Sequence, residues 1–508
     1  MTSRSTLRRP ALVAAATVVS SLVCALAAPV AAAGPVPQEP APRKKAVPIE
    51  DFNGDGLRDV VVAASYGTVR GRTGAGFVTV LYGAESGPAK ARKQLLHQET
   101  PGVPGGAEAD DFFGGSLTTA DLDRDGYSDL IVGAHGEDTG TAAAGSGVGT
   151  LSVIWGGRGG LQGAATLLTG SGTDAEIGRH TVAGDIDGDG AADVVTTENG
   201  RHLQVLSGPF DRSGRPLGGS DTLRDDGENR ITDLAAGDIT GDGRADLAAT
   251  RHAYPDDDSF HTVHWKGTAV GPAPAKAITH GPSTRLQGSN LDIGDINKDG
   301  YEDLVVGRPH DGWASDPAQA AGGMITYVPG SASGPVGTRV RVFNQDSPGV
   351  PGSAEGTGVP YGPDQFGTGV TIGDIDGDGY GDVALGVPLE TIGTDGKRLG
   401  AGTVVTLRGT RNGPTGAGAK LFSQDTAGVP GAAERWDTFG TAVKLADTDG
   451  DRRAELIVGA RGENRGEGGL WVLRGTGSGI TGKGASAFDA RHFGAVRAGA
   501  NLGDVINH

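Results

Sequence analysis

Cysteine and aromatic residues are scarce in this chain, which contains one cysteine, Cys24, and only 5% Phe, Trp and Tyr. Cys24 lies in an N-terminal stretch that we expect to be removed, so no disulfide would hold the remaining chain. Neither a His-Glu-x-x-His sequence nor a Gly-x-Ser-x-Gly elbow occurs. Glycine is abundant, with 91 of 508 residues against the usual ~7%. This composition, with short apolar runs, favours turns and strands over helices.

The charge balance is strongly acidic, with a formal net charge of −18. A chain of this sign is poorly suited to nucleic acid or to anionic membranes. No second apolar stretch approaches the roughly 20 residues that a membrane span needs. We therefore expect no nucleic-acid partner, no membrane span and a monomer.

The first 33 residues predict a secretory signal peptide. Three arginines, Arg4, Arg8 and Arg9, precede the apolar stretch 11–26, and three alanines at 31–33 offer a cleavage site. The alternative is an N-terminal membrane anchor, for which the apolar stretch is short. Residues 34–43 predict a Pro-rich linker, and residues 44–508 the folded domain. We expect a secreted, extracellular protein.

A short acidic motif recurs seven times along the chain. Its copies begin at Asp51, Asp121, Asp185, Asp238, Asp295, Asp374 and Asp447. After each copy come an apolar run, an alternating stretch such as 76–83 that ends in glycine, and a third apolar patch. With the strand before the motif, this pattern predicts four strands per repeat. Radial repetition of such units predicts an all-β fold, a seven-bladed β-propeller. A linear β-solenoid is the alternative, although its repeats are much shorter.

The acidic motif has the spacing of a calcium-binding loop. In the second copy, Asp121, Asp123, Asp125 and Asp129 occupy positions 1, 3, 5 and 9, and Gly126 at position 6 permits the left-handed backbone of a tight turn. Calcium takes six to eight hard oxygen ligands, and we expect position 7 to add its backbone carbonyl. One such loop alone could be an ordinary Asp-Gly turn, whereas seven in the same strand context predict up to seven Ca²⁺ sites. The predicted metal ligands are Asp51, Asn53, Asp55, Leu57 and Asp59; Asp121, Asp123, Asp125, Tyr127 and Asp129; Asp185, Asp187, Asp189, Ala191 and Asp193; Asp238, Thr240, Asp242, Arg244 and Asp246; Asp295, Asn297, Asp299, Tyr301 and Asp303; Asp374, Asp376, Asp378, Tyr380 and Asp382; and Asp447, Asp449, Asp451, Arg453 and Glu455.

The copies differ in their ligands. Asn53 and Asn297 keep an oxygen at position 3, whereas Thr240 supplies only a neutral hydroxyl there. In the seventh copy Arg452 stands where glycine is expected, and a non-glycine residue in left-handed space costs ~1–2 kcal/mol. We expect the loops that begin at Asp238 and Asp447 to bind most weakly.

The residues around the motif resemble a known repeat. Phe113-Gly114, Phe366-Gly367 and Phe439-Gly440 precede the motif, and sequences such as Gly386-Val-Pro follow it. Phe-Gly, a calcium loop and a Gly-Ala-Pro-like segment are similar to the FG-GAP repeat of the integrin α-subunit N-terminal propeller and of bacterial secreted proteins. The resemblance implies seven blades, calcium for rigidity and a ligand surface on one face. Copies three to five depart from it, because other residues replace Phe-Gly there.

Two further features of the sequence bear on architecture. Phe493-Gly494 is an eighth Phe-Gly without a loop, and we expect it to be the strand that closes the ring. Three segments share the text Gly-Val-Pro-Gly-x-Ala-Glu, at 102–108, 349–355 and 428–434. Rigid connectors are the favoured interpretation of these segments, and a shared ligand surface is the alternative.

The sequence therefore predicts a binding or adhesion module for an extracellular protein or glycan, and not an enzyme. The 11 histidines are scattered, and the glycine-rich runs precede strands rather than helices, which excludes phosphate loops. The alternative is a secreted hydrolase or lyase with its site at the mouth of the propeller channel.

Overall fold

The computed structural model describes residues 50–138, 147–224, 229–253, 260–280, 284–310, 321–356, 362–393 and 397–507. They belong to one compact unit, residues 47–508. The predicted signal peptide and linker lie outside the described residues.

Seven four-stranded antiparallel sheets make up the fold, which confirms the prediction of an all-β, seven-bladed propeller with four-stranded blades. Blades are numbered by the acidic loop that each contains. Blade 1 comprises Val505–Ile506, Val60–Ala64, Phe77–Leu81 and Lys93–Leu96. Blade 2 comprises Phe113–Ala120, Asp129–Ala134, Thr150–Ile154 and Ala164–Thr169. Blade 3 comprises Thr181–Gly184, Asp193–Glu198, His202–Ser207 and Gly219–Leu223.

The remaining blades follow the same order. Blade 4 comprises Asn229–Gly237, Asp246–Ala253, Phe260–Trp265 and Lys276–Ala277. Blade 5 comprises Asn290–Gly294, Asp303–Arg308, Met324–Val328 and Arg341–Phe343. Blade 6 comprises Val370–Gly373, Asp382–Val387, Thr403–Arg408 and Thr415–Phe422. Blade 7 comprises Ala442–Ala446, Glu455–Ala460, Gly469–Arg474 and Thr481–Phe488.

Other regular structure in the described residues is short. Two pairs of two-residue strands lie outside the blades, Gly267–Thr268 with Gly271–Pro272 and Thr279–His280 with Thr284–Arg285. The helical segments are the 3₁₀ turns Pro88–Lys90 and Ala490–Phe493 and the single α-turn Glu463–Gly466. Among the described residues, none of these helices has the length or apolar character to cross a bilayer.

The core lies between neighbouring blades. Second strands such as Val60–Ala64 and Asp382–Val387 are buried along their whole length, because each packs between its sheet neighbours and the adjacent blades. The phenylalanine of a Phe-Gly pair packs at the boundary between two blades, and Phe113 at 1% exposure contacts the cluster that contains Val78 and Val80 of blade 1. Its glycine is required for two reasons: Gly114 has φ +95°, and a Cβ there would lie 2.8 Å from Ala63 Cβ.

The ring closes through the two ends of the described chain. Ile506 pairs with Val62 and Val505 with Ala63, so that the C-terminal strand completes blade 1. A closing strand was predicted, but its assignment to Phe493-Gly494 was wrong. Those residues end a 3₁₀ turn, and Leu502-Gly503 occupies the place of Phe-Gly, since Leu502 bridges Gly468 as Phe366 bridges Gly323.

Candidate metal centres

Six of the seven predicted loops join the first strand of a blade to its second strand, and the loop of blade 1 leads directly into its second strand, Val60–Ala64. All seven therefore lie on one face of the propeller. We number them loops 1 to 7, residues 51–59, 121–129, 185–193, 238–246, 295–303, 374–382 and 447–455. Neighbouring loops are joined at six junctions, where the backbone N–H at position 8 of one loop donates to the carbonyl at position 1 of the loop before it, at 2.7–3.4 Å. Ser128 N–H to Asp51 O and Arg58 N–H to Asp447 O are two of these bonds. The loops therefore form a hydrogen-bonded collar.

Each loop is folded around its own first carboxylate. In all seven, the N–H at position 6 donates to Oδ2 of the aspartate at position 1, at 2.8–3.1 Å. The N–H at position 7 donates to Oδ1 of the aspartate at position 5, at 2.7–3.2 Å. The side chains at positions 1 and 5 are thereby turned back into the loop.

Position 9 anchors each loop to the sheet. One oxygen of this buried carboxylate accepts the N–H of the glycine that follows the third strand, at 2.8–3.4 Å. The other oxygen accepts the N–H at position 2, or at position 3 in loop 4. Glycines such as Gly83 and Gly156, which the sequence identified only as strand ends, are thus partners of the loops.

Four loops bring three carboxylates close enough to hold a metal ion. In loops 2, 3, 6 and 7, one carboxylate oxygen from each of positions 1, 3 and 9 lies within 4.8 Å of the other two. The groups are Asp121, Asp123 and Asp129; Asp185, Asp187 and Asp193; Asp374, Asp376 and Asp382; and Asp447, Asp449 and Glu455. The aspartates at position 5 lie outside these groups.

Loops 4 and 5 have a neutral residue at position 3, and its oxygen is left without a partner. Thr240 is 3% exposed and Asn297 is 9% exposed, yet neither Thr240 Oγ1 nor Asn297 Oδ1 makes a hydrogen bond. The amide nitrogen of Asn297 donates to Asp303 Oδ1 at 3.3 Å and to Tyr327 Oη at 3.2 Å, so its orientation is fixed. A buried oxygen without a donor costs free energy, and a cation at this point would satisfy it.

Burial changes the acidity of the position 9 carboxyl groups. Loss of hydration raises the pKa of Asp59 to about 8 and the pKa of Asp129 and of Asp382 to about 7. Nearby loop aspartates raise it further, and backbone N–H donors partly oppose the shift. The raised pKa means that the ionised carboxylate at position 9 is poorly hydrated and is repelled by its acidic neighbours. A bound divalent cation would stabilise this ionised form.

In loops 2, 6 and 7, one arginine from outside the loop lies close to the carboxylates at both position 3 and position 5. The guanidinium of Arg408 lies 2.5 Å from Asp376 Oδ2 and 3.1 Å from Asp378 Oδ2. Arg212 pairs with Asp123 and Asp125 of loop 2, and Arg474 lies 3.7–3.8 Å from Asp449 and Asp451 of loop 7. All three side chains are about half exposed, so a divalent cation can displace them.

Left-handed backbone is needed at two positions of each loop, of which the sequence indicated one. Position 6 has positive φ in all seven loops, including Arg452 at φ +67° in loop 7. Position 4 is also left-handed throughout, and there Arg124 and Lys298 replace the glycine of the other loops. The strain that the sequence assigned to loop 7 alone is therefore present in loops 2 and 5 as well.

The three segments with the shared text are held by repeated contacts. The Nε2 atoms of Gln98, Gln345 and Gln424, which precede these segments, donate to Glu137, Glu390 and Glu463 respectively. The N–H of each closing glutamate donates to a following aspartate, as Glu434 does to Asp437 at 2.6 Å. These bonds fit the favoured interpretation of a rigid connector.

Comparison with known proteins agrees with this architecture. Residues 46–81, 113–154, 287–326 and 366–407 match the FG-GAP repeat. Copy five, which we expected to be divergent, is among the matches, whereas copy seven with its Phe439-Gly440 is not.

Three similar proteins illustrate the relationship. Integrin alpha-PS2 of Drosophila melanogaster is 28% identical over 42% of this chain and 15% of its own length. Integrin alpha-IIb of Mus musculus is 41% identical over 18% of this chain and 8% of its own length. Phosphatidylinositol-glycan-specific phospholipase D of Rattus norvegicus is 30% identical over 38% of this chain and 22% of its own length. The chain thus matches less than a quarter of each of these relatives. It contains four FG-GAP repeats, is similar to integrin α subunits and folds as a seven-bladed β-propeller.

Proposed function

We propose that this protein is an exported, calcium-stabilised binding or adhesion module that takes a protein or glycan ligand outside the cell. The observation that carries the proposal is the collar of seven acidic loops, four of which bring three carboxylates close enough to hold one metal ion. Residues 1–33 act as the signal peptide, residues 34–43 as the linker and residues 44–508 as the propeller. The protein acts as a monomer and binds no nucleic acid.

Calcium is the cation that the donor set favours. Carboxylate, amide, hydroxyl and carbonyl oxygens at positions 1, 3, 5, 7 and 9 are hard ligands in the number that calcium takes. The four carboxylate groups of loops 2, 3, 6 and 7 support occupancy there, and the buried oxygens of Thr240 and Asn297 support it in loops 4 and 5. We propose up to seven ions.

Two carboxylates, Asp233 and Asp292 in the first strands of blades 4 and 5, favour binding over the alternative of a hydrolase or lyase. Asp233 accepts the N–H of Leu291 in the next blade at 2.9 Å and that of Leu234 at 2.9 Å. Asp292 accepts the N–H of Ile372 at 2.8 Å and that of Ile293 at 2.9 Å. A carboxylate that holds two backbone donors joins blades together and is poorly placed to act as an acid or base.

A binding screen with a turnover control tests the proposal. The secreted protein is incubated with arrays of extracellular proteins and glycans, with calcium and with EGTA, and with ester, phosphoester and glycoside substrates. Calcium-dependent retention without turnover is the expected result. Turnover that a single channel substitution such as Asp233→Asn abolishes would instead establish the enzyme.

A further inference from the structure

Blade 4 has a buried histidine, His264, in its third strand beside loop 4. It pairs across the sheet with Ala248, which lies two residues beyond Asp246 at position 9 of the loop. No other blade has a histidine at this place among the described residues. The equivalent residues are Val80, Val153, Val205, Tyr327, Thr406 and Val472.

The imidazole of His264 faces the carboxylate that anchors the loop. Its Nε2 lies 3.9 Å from Asp246 Oδ2, with side-chain exposures of 7% and 0%. This separation is too long for a hydrogen bond, and Nε2 has no hydrogen-bond partner in the described structure. Two ligands that each lie ~2.0–2.2 Å from a zinc ion can be up to about 4.2 Å apart. The two atoms are therefore close enough to share one ion.

A second buried atom without a partner belongs to the same place. The N–H of Thr240 donates to Asp246 Oδ2 at 2.9 Å, which is the oxygen that faces His264. Thr240 is 3% exposed, and its Oγ1 makes no hydrogen bond to any described residue. Buried polar atoms left unpaired cost free energy. A cation beside Asp246 would satisfy both the imidazole nitrogen and the hydroxyl oxygen.

Loop 5 provides a contrast, because its blade also has a polar side chain at the place of His264. There Tyr327 Oη donates to Asp303 Oδ2 at 3.2 Å and accepts the amide N–H of Asn297 at 3.2 Å. The tyrosine thus satisfies the position 9 carboxylate without a metal ion. His264 forms no such bond to Asp246, so the histidine does not act as the same structural substitute.

Loop 4 also offers calcium less negative charge than the loops with three grouped carboxylates. Thr240 at position 3 is neutral. Asp242 at position 5 lies 3.0 Å from Lys266 Nζ and 3.7 Å from the Arg244 guanidinium. Calcium affinity depends on ligand charge, and calcium takes oxygen ligands, whereas imidazole nitrogen suits zinc and similar transition metals. The donors of loop 4 therefore favour a different class of ion.

We infer that loop 4 binds a divalent transition-metal ion of the zinc class through His264 Nε2 and the Asp246 carboxylate, with the Thr240 hydroxyl beside them. Among the described residues no further carboxylate lies within 4.8 Å of both ligands, so water completes the coordination, as at zinc sites that keep an open position. Loop 4 thus departs from the calcium preference of the other loops. The inference rests on the proposed metal-stabilised collar and names the ion of one loop.

Isothermal titration of the untagged, secreted protein tests the inference. Bound metal is first removed with EDTA, and calcium is then added to saturation, so that the calcium loops are filled before zinc chloride is titrated. We expect one zinc ion per chain to bind. His264→Val introduces the residue that four other blades have at this place and should weaken zinc binding at least about tenfold. The control His280→Gln removes an exposed histidine and should leave zinc binding unchanged.

Pulsed electron paramagnetic resonance provides a second measurement that needs no variant to fold. One equivalent of Cu²⁺, added to the calcium-saturated protein in place of zinc, should show coupling to an imidazole nitrogen. Equal melting temperatures of His264→Val and the unmodified protein in calcium without zinc show that the variant folds.

Four outcomes would overturn the inference. They are no zinc binding to the calcium-saturated protein, zinc binding that His264→Val does not weaken, displacement of zinc by an equal concentration of calcium, and a Cu²⁺ spectrum without imidazole coupling. The proposed function fails separately, because it predicts calcium-dependent retention of an extracellular ligand. That retention is measured without zinc, so the binding module stands even if the assignment of loop 4 falls.

Discussion

Lys444 Nζ lies 2.7 Å from Glu50 Oε1, with side-chain exposures of 9% and 2%. Glu50 precedes loop 1 and Lys444 is in the first strand of blade 7, so this pair joins the first blade to the last. Asn507 completes it: its Nδ2 donates to Glu50 Oε1 at 2.7 Å, and its carbonyl accepts from Lys444 Nζ at 2.9 Å. One buried cluster therefore holds both ends of the described chain.

Removal of Lys444 should open the ring. Lys444→Met leaves Glu50 buried without its ammonium partner, and breaking a buried pair in this way costs about 3–5 kcal/mol. Chemical denaturation measures the loss, and hydrogen exchange should become faster in strand 505–506. Arg398→Met, which breaks the half-exposed pair with Asp425, is the control and should have a small effect. Equal effects of the two variants would mean that the buried pair does not close the ring.

The features of the fold that depend on interactions between residues close in the chain could be predicted from the sequence. Each acidic loop satisfies its own carboxylates with its own N–H groups, so that spacing alone identified the loop. The strand after each loop was predicted from its apolar run for the same reason. The Gly-Val-Pro-Gly segments were visible as repeated text, although their glutamine–glutamate contacts were not.

Features that depend on distant parts of the chain could not be predicted in this way. Ring closure brings Val505 to Ala63, and Leu502 carries out a role that phenylalanine has elsewhere, so the Phe493-Gly494 pair pointed to the wrong residues. The left-handed backbone at Arg124 and Lys298 was missed because only glycine signals this conformation in a sequence. At this position the glycines occur in the other loops.

Chelation should lower the thermal stability of the whole propeller. Neighbouring loops are hydrogen-bonded to each other at six junctions, so loss of the ions should weaken most blade boundaries rather than one site. When the free calcium concentration is 100 times the Kd of a site, the ion bound there contributes ~2.7 kcal/mol to the free energy of unfolding. Calorimetric melts in calcium and in EGTA measure the effect, and the protein must first be shown to be metal-free in EGTA. Coincident melts would contradict a structural role for calcium.

Loops 6 and 4 should differ in their dependence on calcium. Asp374 and Asp238 each accept two backbone N–H groups, at 2.7 and 2.8 Å and at 2.8 and 3.0 Å, so substitution by alanine removes the same number of internal bonds. Asp374 belongs to a group of three carboxylates, whereas loop 4 has Thr240 at position 3. Since ligand charge tunes calcium affinity, Asp374→Ala should lose more calcium-dependent stability than Asp238→Ala. Melts of both variants with and without calcium measure the difference, and a reversed order would show that carboxylate number does not rank the loops.

Removal of Arg408 should strengthen cation binding at loop 6. Its guanidinium contacts Asp376 and Asp378, and a cation that binds there must displace it. An exposed ion pair of this kind is worth up to about 1 kcal/mol, so Arg408→Gln should increase affinity by up to about fivefold. Terbium luminescence sensitised by Tyr380 reports on this loop, with Tyr380→Phe in each background to subtract the others. Arg411→Gln, an exposed arginine nearby, is the control, and an equal gain in affinity from it would mean that the ion pair does not compete.

The half-buried Glu390 should make the stability of the protein depend on pH. Burial raises the pKa of Glu390 from 4.5 to about 7, and the Gln345 amide opposes this shift only in part. A raised pKa means that the folded protein holds this proton more tightly than the unfolded chain does. The stabilisation is therefore complete below pH ~4.3, the unfolded pKa, and is lost as pH rises through about 7. Glu390→Gln cannot ionise, so its stability relative to the unmodified protein should increase between pH 5 and 8, by up to about 3 kcal/mol. Urea midpoints at saturating calcium measure this difference.

Glu463→Gln should behave alike, because burial raises the pKa of Glu463 to about 7. Parallel pH profiles for the variants and the unmodified protein would show that these carboxyl groups ionise equally in the folded and unfolded states.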